Sequence, residues 1–257
     1  MIYVTGDCHS EFEKLSSDRF PEGKHLTKDD YVIICGDFGG IWWNSMDYVQ
    51  RKTEDYWIRW LDKKPFTTLF VDGNHENHTR LAAYPVEQWH GGRVHRIADS
   101  VLHLMRGEIF ELCGKRIFAF GGASSHDISD GILDGSAPDW RRQAWLMELR
   151  GQVMYRVKGV SWWEEELPDE EELQNGLDNL AKYNNCVDYI ISHCASDSVQ
   201  AMISGDYASD RLTQYFEHLR NTVQYDAWYF GHYHDDCDIT EKDILLYHEI
   251  RAINSGK

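Results

Sequence analysis

Apolar residues recur along the chain with two periods. Ile2-Tyr3-Val4, Tyr31-Val32-Ile33-Ile34-Cys35 and Thr67-Thr68-Leu69-Phe70-Val71 are short continuous β-type runs, as expected for strands covered on both faces. Between the first two, Ser10 with Glu13 predicts a capping box ahead of a helix carrying Phe12 and Leu15 on one face. Between the second and third, Met46, Val49, Thr53, Tyr56, Trp57, Trp60 and Leu61 follow helical spacing. This βαβαβ order predicts a parallel sheet with crossover helices.

The pattern changes after about residue 105. Glu108–Leu112 and Arg116–Phe120 flank Cys113-Gly114-Lys115 and read as an antiparallel hairpin. Residues from about Gly121 to Leu167 are rich in Gly, Ser, Asp and Trp, and Gly159–Trp163 reads as ordered loop. Asp169 with Glu172 predicts a capped helix buried through Leu173, Leu177, Leu180 and Ala181. The acids Glu164–Glu166, Asp169 and Glu170 read as a solvated helix start, where carboxylates favour the helix N-terminus. Val187–Ile191 and Ala227–Phe230 are strands, Leu212, Tyr215, Phe216 and Leu219 mark a helix, and residues 237–250 form a closing hairpin. No repeat or low-complexity linker divides residues 1–257, so one domain is expected.

Composition narrows the class. An apolar fraction of 42% with 27% charged residues is that of a globular protein. No apolar run approaches a membrane span, and the N-terminus has no signal-peptide pattern, so no membrane partner and a cytoplasmic location are expected. The six cysteines have no Cys-x-x-Cys spacing, and Cys8, Cys35 and Cys194 read as buried packing residues. A formal net charge of −17 weighs against extended nucleic-acid binding and leaves a small phosphorylated substrate open.

Candidate chemistry follows the strands. Asp7-Cys8-His9 puts two ligand side chains on one side of extended chain. Gly36-Asp37 follows the second strand, and Asp72-Gly73-Asn74-His75-Glu76 the third. His193 ends a later strand, and His232-Tyr233-His234 again places two imidazoles together. Each piece alone is ambiguous, since glycine before an acid often marks only a turn. Together they offer carboxylate, imidazole and amide oxygen, a donor set suited to Mn, Fe or Zn.

Asp-x-His, Gly-Asp, Gly-Asn-His-Glu, a lone His and Gly-His-x-His, in that order from Asp7 to His234, resemble the calcineurin-like metallophosphoesterase superfamily. The resemblance implies an α/β fold, a four-layer α/β/β/α sandwich. It implies two divalent metal ions, one held by Asp7, His9, Asp37 and His234 and the other by Asp37, Asn74, His193 and His232. Asp37 would bridge them, a metal-bridging water would attack phosphorus, and His75 would act on the leaving group as general acid. The implied activity is hydrolysis of a phosphate mono- or diester, with a small or nucleotide-like substrate. The alternatives are a metal-binding scaffold of the same fold without activity, or a single-strand nuclease.

Two positions depart from the pattern of the protein phosphatases of that superfamily. Phe38-Gly39-Gly40 stands where a second Asp and an Arg-Gly are expected, which leaves His75 without an identified partner. Ser10 replaces a glycine after the first histidine. Gly121–Asp127 could line a substrate pocket or be a plain polar turn, and Arg141, Arg142 or Arg156 could hold phosphate. The pairs Trp42-Trp43 and Trp162-Trp163 could stack on a base, although packing is the commoner role of tryptophan.

Overall fold

The computed structural model describes residues 1–44 and 47–253. The strands predicted from the continuous runs form where expected: β1 (Ile2–Thr5), β2 (Tyr31–Cys35) and β3 (Thr67–Val71) lie parallel and adjacent. Helix α1 (Tyr48–Asp62) and the short α2 (His78–Leu81) follow β2 and β3 respectively. β4 (Val86–Trp89), β5 (Gly92–Ala98) and β6 (Val101–Leu104) extend this sheet, with β6 parallel to β3 and the other two antiparallel.

β7 (Glu108–Leu112) and β8 (Lys115–Phe120) make the predicted hairpin and open a second sheet. Its two-residue turn takes Cys113 and Gly114 to φ 51° and 76°, the left-handed pair that suits a tight hairpin. Beyond it come β9 (Gly131–Asp134), α3 (Trp140–Glu148) and β10 (Tyr155–Lys158), so the segment to which the sequence assigned no element holds a helix and a parallel strand pair. Then follow α4 (Glu170–Lys182), β11 (Tyr189–Ser192), α5 (Asp197–Ile203), α6 (Arg211–Thr222), β12 (Ala227–Phe230), β13 (Cys237–Asp238) and β14 (Asp243–Leu245). The last strand, β15 (Ile250–Ala252), returns to the first sheet and pairs with β1. The sheet orders are β15-β1-β2-β3-β6-β5-β4 and β13-β14-β12-β11-β8-β7.

Alternation along each strand builds the layers. Val4, Ile33, Leu69, Ile117, Ile191 and Tyr229 belong to one core between the sheets. Their neighbours turn outward: Val32, Ile34 and Phe70 pack with Phe12 and Leu61, while Phe118, Ile190 and Trp228 pack with Leu180, Phe216 and Leu219. The outcome is helix, sheet, sheet, helix, an α/β sandwich of two mixed sheets.

Several local expectations differ. Ser10 does not cap a helix: its hydroxyl donates to the Gly39 carbonyl at 2.5 Å, and Phe12–Leu15 forms a single 3-10 turn with both apolar residues buried. In α1, Val49 and Tyr56 are exposed while Glu54 is buried, because Glu54 Oε1 accepts the Trp42 and Trp43 amides at 2.5 and 2.8 Å. Met46 of that predicted stripe lies outside the described residues. The Asp169–Glu172 capping box forms as predicted, but Ala181 of its stripe is exposed. Glu166, expected in solvent, is buried, accepting from the Ser125 amide and hydroxyl and from Trp162 Nε1. Among the described residues no helix is long and apolar enough to cross a membrane.

Candidate metal centre

The predicted ligands come from loops at the ends of β1, β2, β3, β11 and β12, where the strands of parallel sheets deliver ligands. Two glycines show why the motifs read as they do. A Cβ on Gly73 would lie 2.1 Å from Asp37 Oδ1, and one on Gly231 would lie 2.1 Å from Asp7 Oδ1. Both carboxylates therefore lie across glycine backbone. His9, Asp37, His232 and His234 adopt φ of 45°, 41°, 71° and 53°, a left-handed conformation that costs non-glycine residues energy and clusters at functional sites.

Two groups of ligand atoms converge. In the first, Asp7 Oδ2 lies 3.1 Å from His234 Nε2 and 3.6 Å from His9 Nε2, the two imidazole nitrogens are 3.1 Å apart, and Asp37 Oδ2 is 3.6 Å from His9 Nε2. In the second, His193 Nε2 lies 3.3 Å from Asp37 Oδ1 and 3.2 Å from Asn74 Oδ1. The His193 Nδ1–H donates to the Cys35 carbonyl at 2.8 Å, which leaves Nε2 as the coordinating nitrogen. Asp37 thus turns one oxygen toward each group. His232 stands slightly apart: its ring centroid is 4.9 Å from that of His193, and its amide donates to Asp7 Oδ1 at 2.9 Å.

These residues fit divalent cations. Asp7 Oδ2 is buried with no hydrogen-bond donor, and an ionised carboxylate in that state needs a positive neighbour. Burial alone would raise Asp7 and Asp37, yet the adjacent His193 holds both well below the usual carboxylate range. Burial likewise opposes charge on His193, and Asp37 and Asp7 nonetheless raise it to about 10. A proton there occupies a place that suits a metal.

His75 lies beside His9 and Asp37. Its amide donates to Asp37 Oδ1 at 2.7 Å, and its ring centroid is 5.0 Å from that of His9 and 5.6 Å from that of Trp42. Its partner is Arg156, whose Nη2 is 2.9 Å from His75 Nε2. Guanidinium cannot accept, so Nε2 is the acceptor and the ring proton of neutral His75 sits on Nδ1. Burial, more than any charge, lowers His75 to about 4. Arg156 is itself held by Asp127 Oδ1 at 2.6 Å and the Ser161 carbonyl at 3.0 Å.

Arg156 is thus the arginine brought to the site, while Arg141 and Arg142 lie on α3 without that contact. Alternation in Tyr155-Arg156-Val157-Lys158 would put it on the polar face beside Lys158, so nothing in the run hinted at its burial, and no spacing ties residues 75, 127 and 156 together. The loop in place of Asp-Arg-Gly is held by Glu76, whose Oε1 accepts the Phe38 and Gly39 amides at 2.7 and 3.3 Å. Gly121–Asp127 contributes through Ser125, 3.5 Å from Asn74 Nδ2, and through Asp127. Trp42 faces His75 and Trp163 is buried against Trp42, so packing accounts for both. Cys8, Cys35 and Cys194 are buried free thiols.

Comparison with known proteins agrees with this architecture. A family model described as calcineurin-like phosphoesterase matches residues 1–236. Lariat debranching enzyme A of Xenopus laevis is 29% identical over 143 residues, 52% of this chain and 26% of the relative. The human lariat debranching enzyme is 24% identical over 168 residues, 61% and 29% of the two chains. That of Caenorhabditis briggsae is 23% identical over 202 residues, 75% and 35%. The matches cover only 26–35% of the length of these curated relatives.

Proposed function

This chain belongs to the calcineurin-like phosphoesterase family, and from that premise we propose that it hydrolyses a small, nucleotide-like phosphodiester using two divalent metal ions. The observation that carries the reading is the double convergence on Asp37, with orphaned Asp7 Oδ2 on one side and His193 Nε2 and Asn74 Oδ1 on the other. Asp7, His9, Asp37 and His234 would hold one ion, and Asp37, Asn74, His193 and His232 the other. Bound there, such ions supply Lewis acidity toward phosphate oxygens and toward the attacking water.

The protein's own groups do the rest. His75, neutral and oriented by Arg156, can donate a hydrogen bond from its remaining N–H to the leaving oxygen and stabilise the charge that develops there. Arg156 brings a fixed positive charge next to it, which can hold a non-bridging phosphate oxygen. The likeness to lariat debranching enzymes favours a diester over a monoester. The acidic chain favours a small substrate over a long duplex, and the free cysteines suit a reducing cytoplasm.

The test compares bis-p-nitrophenyl phosphate, p-nitrophenyl phosphate and a 2′–5′-linked dinucleotide with Mn²⁺, alongside elemental analysis. Wild type should prefer the diesters, and His75→Ala should lose about 10²–10⁴-fold in kcat while keeping its metal. Faster monoester hydrolysis would refute the diester assignment. Two bound metals without turnover on any substrate would leave a scaffold instead.

A further inference from the structure

Asp127 and Arg156 come from the chain beyond β8, and together they reach the metal centre without belonging to either group of ligand atoms. Arg156 lies on β10, whose main chain is fixed by parallel pairing with β9, with Arg156 opposite Ile132. A guanidinium is planar with five N–H donors, so contacts at Nε and at both Nη atoms fix its plane and its direction. Arg156 makes all three, to Asp127 Oδ1, to the Ser161 carbonyl and to His75 Nε2.

The two acceptors behind the guanidinium differ in what they tie together. Ser161 closes a turn that continues β10: its Oγ accepts the Val157 amide at 3.0 Å, and its own amide donates to the Val157 carbonyl at 2.8 Å. The Ser161 carbonyl therefore moves with the strand that carries Arg156. Asp127 belongs to the loop after β8, which also places Ser125 beside Asn74. Among the described residues it is the carboxylate that pairs with Arg156. The guanidinium is buried and the carboxylate partly exposed, so the pair runs from the rim inward to His75. Without that partner a long side chain regains rotamer freedom.

Loop and strand have a separate tie. The Asp130 amide donates to the Met154 carbonyl at 2.8 Å, and the Met154 amide to Asp130 Oδ2 at 2.9 Å. Asp127 is thus not needed to join the two pieces of chain, and its contact serves the direction of the arginine. Arg156 is in turn the one hydrogen-bond partner of the His75 ring among the described residues.

We propose that Asp127 is a positioning residue for phosphodiester hydrolysis: its hydrogen bond to Arg156 Nε keeps Nη2 on His75 Nε2, and so keeps the imidazole proton on Nδ1. The pair supplies, from positions 127 and 156, an acid and an arginine where Phe38-Gly39-Gly40 offers neither. Its effect on turnover rests on the phosphodiester reading, and its effect on His75 rests on the geometry alone.

The test uses the Zn²⁺-loaded full chain at neutral pH. Asp127→Ala and Asp127→Ser remove the contact, while Asp127→Asn keeps an oxygen that can accept from Arg156 Nε. Nitrogen-15 spectra of histidine-labelled protein, with His75 assigned by its loss in His75→Gln, report which ring nitrogen holds the proton. Wild type and Asp127→Asn should show one tautomer, protonated at Nδ1, and Asp127→Ala and Asp127→Ser a mixture. In the same two variants kcat on diphenyl phosphate should fall about tenfold, and less on bis-p-nitrophenyl phosphate, whose leaving oxygen needs little stabilisation. Asp127→Asn should restore the rate, and urea midpoints should stay near that of wild type. A nitrogen-15 pattern unchanged by Asp127→Ala and Asp127→Ser overturns the proposal. So does an equal fall on both esters, or a loss in Asp127→Asn as large as in Asp127→Ala. Wild type that turns over neither ester would instead count against the phosphodiester reading, and the nitrogen-15 pattern would still decide whether Asp127 positions His75.

Discussion

Asp37 and Asp72 each follow an apolar strand of the first sheet, each is buried, and each touches histidine, yet their charges are met differently. Asp72 has Arg106, a buried guanidinium that donates twice to one oxygen, with His103 on the other. Asp37 and its neighbour Asp7 have histidines alone as ion-pair partners among the described residues. A buried carboxylate with an arginine is complete within the protein. Two carboxylates ringed by imidazoles have no permanently charged side chain as ion-pair partner among the described residues, an arrangement that suits divalent cations and sets this cluster apart from the self-contained one at Asp72.

Breaking the self-sufficient cluster should have the largest effect. Arg106→Met leaves Asp72 buried and unpaired and should cost about 3–5 kcal/mol, read as a fall in the urea midpoint. Metal content in the folded fraction should stay at the wild-type level. Asp37→Asn should do the reverse. Turnover of bis-p-nitrophenyl phosphate should fall by about 10²–10³-fold or more with loss of bound metal, while the metal-free variant should lose less stability than Arg106→Met, because His193 keeps Asp7 as a partner. A metal-free Asp37→Asn destabilised as much as Arg106→Met would contradict the contrast.

Acid should expose the Asp72 side through His78. The folded chain holds His78 near 4 against an ordinary 6.5, so below about pH 6.5 the unfolded chain takes up a proton that the folded chain refuses. Stability should therefore fall as pH drops from about 6.5 toward 4, by about 3 kcal/mol from this residue. His78→Phe should flatten that slope in urea titrations at pH 7, 5.5 and 4.5. The smallest increment per bound group belongs to metal loading. Mn²⁺ at a hundredfold over its Kd should raise wild-type stability by about 2.7 kcal/mol for each ion held, and EDTA should reverse it. Arg106→Met should keep this increment and Asp37→Asn should lose most of it.

Much of the frame was legible along the chain because it depends on short-range pattern. β2 and β3 have the bounds of their apolar runs, and the hairpin turn needs only Cys113-Gly114. Asp7, His9, Asp37, Asn74, His75, His232 and His234 could be picked out as candidates because each sits in a short motif at a strand end, whereas His193 stands alone there. Ser10 was misread, and the burial of Glu54 was not foreseen, because long-range partners overrode local preference: Gly39 claims the Ser10 hydroxyl, and the Trp42 and Trp43 amides draw Glu54 inward.

The amino-acid sequence alone determined the strand runs, the ligand types and their order, since these follow from side-chain chemistry and the two-residue period of extended chain. Only the tertiary structure decided which charges are compensated. Arg156 meets His75 across 81 positions, Arg106 meets Asp72 across 34, and His103 links Asp72 to His95 through two hydrogen bonds. Electrostatic and hydrogen-bond energies depend on separation in space and on burial, and neither is encoded by separation along the chain.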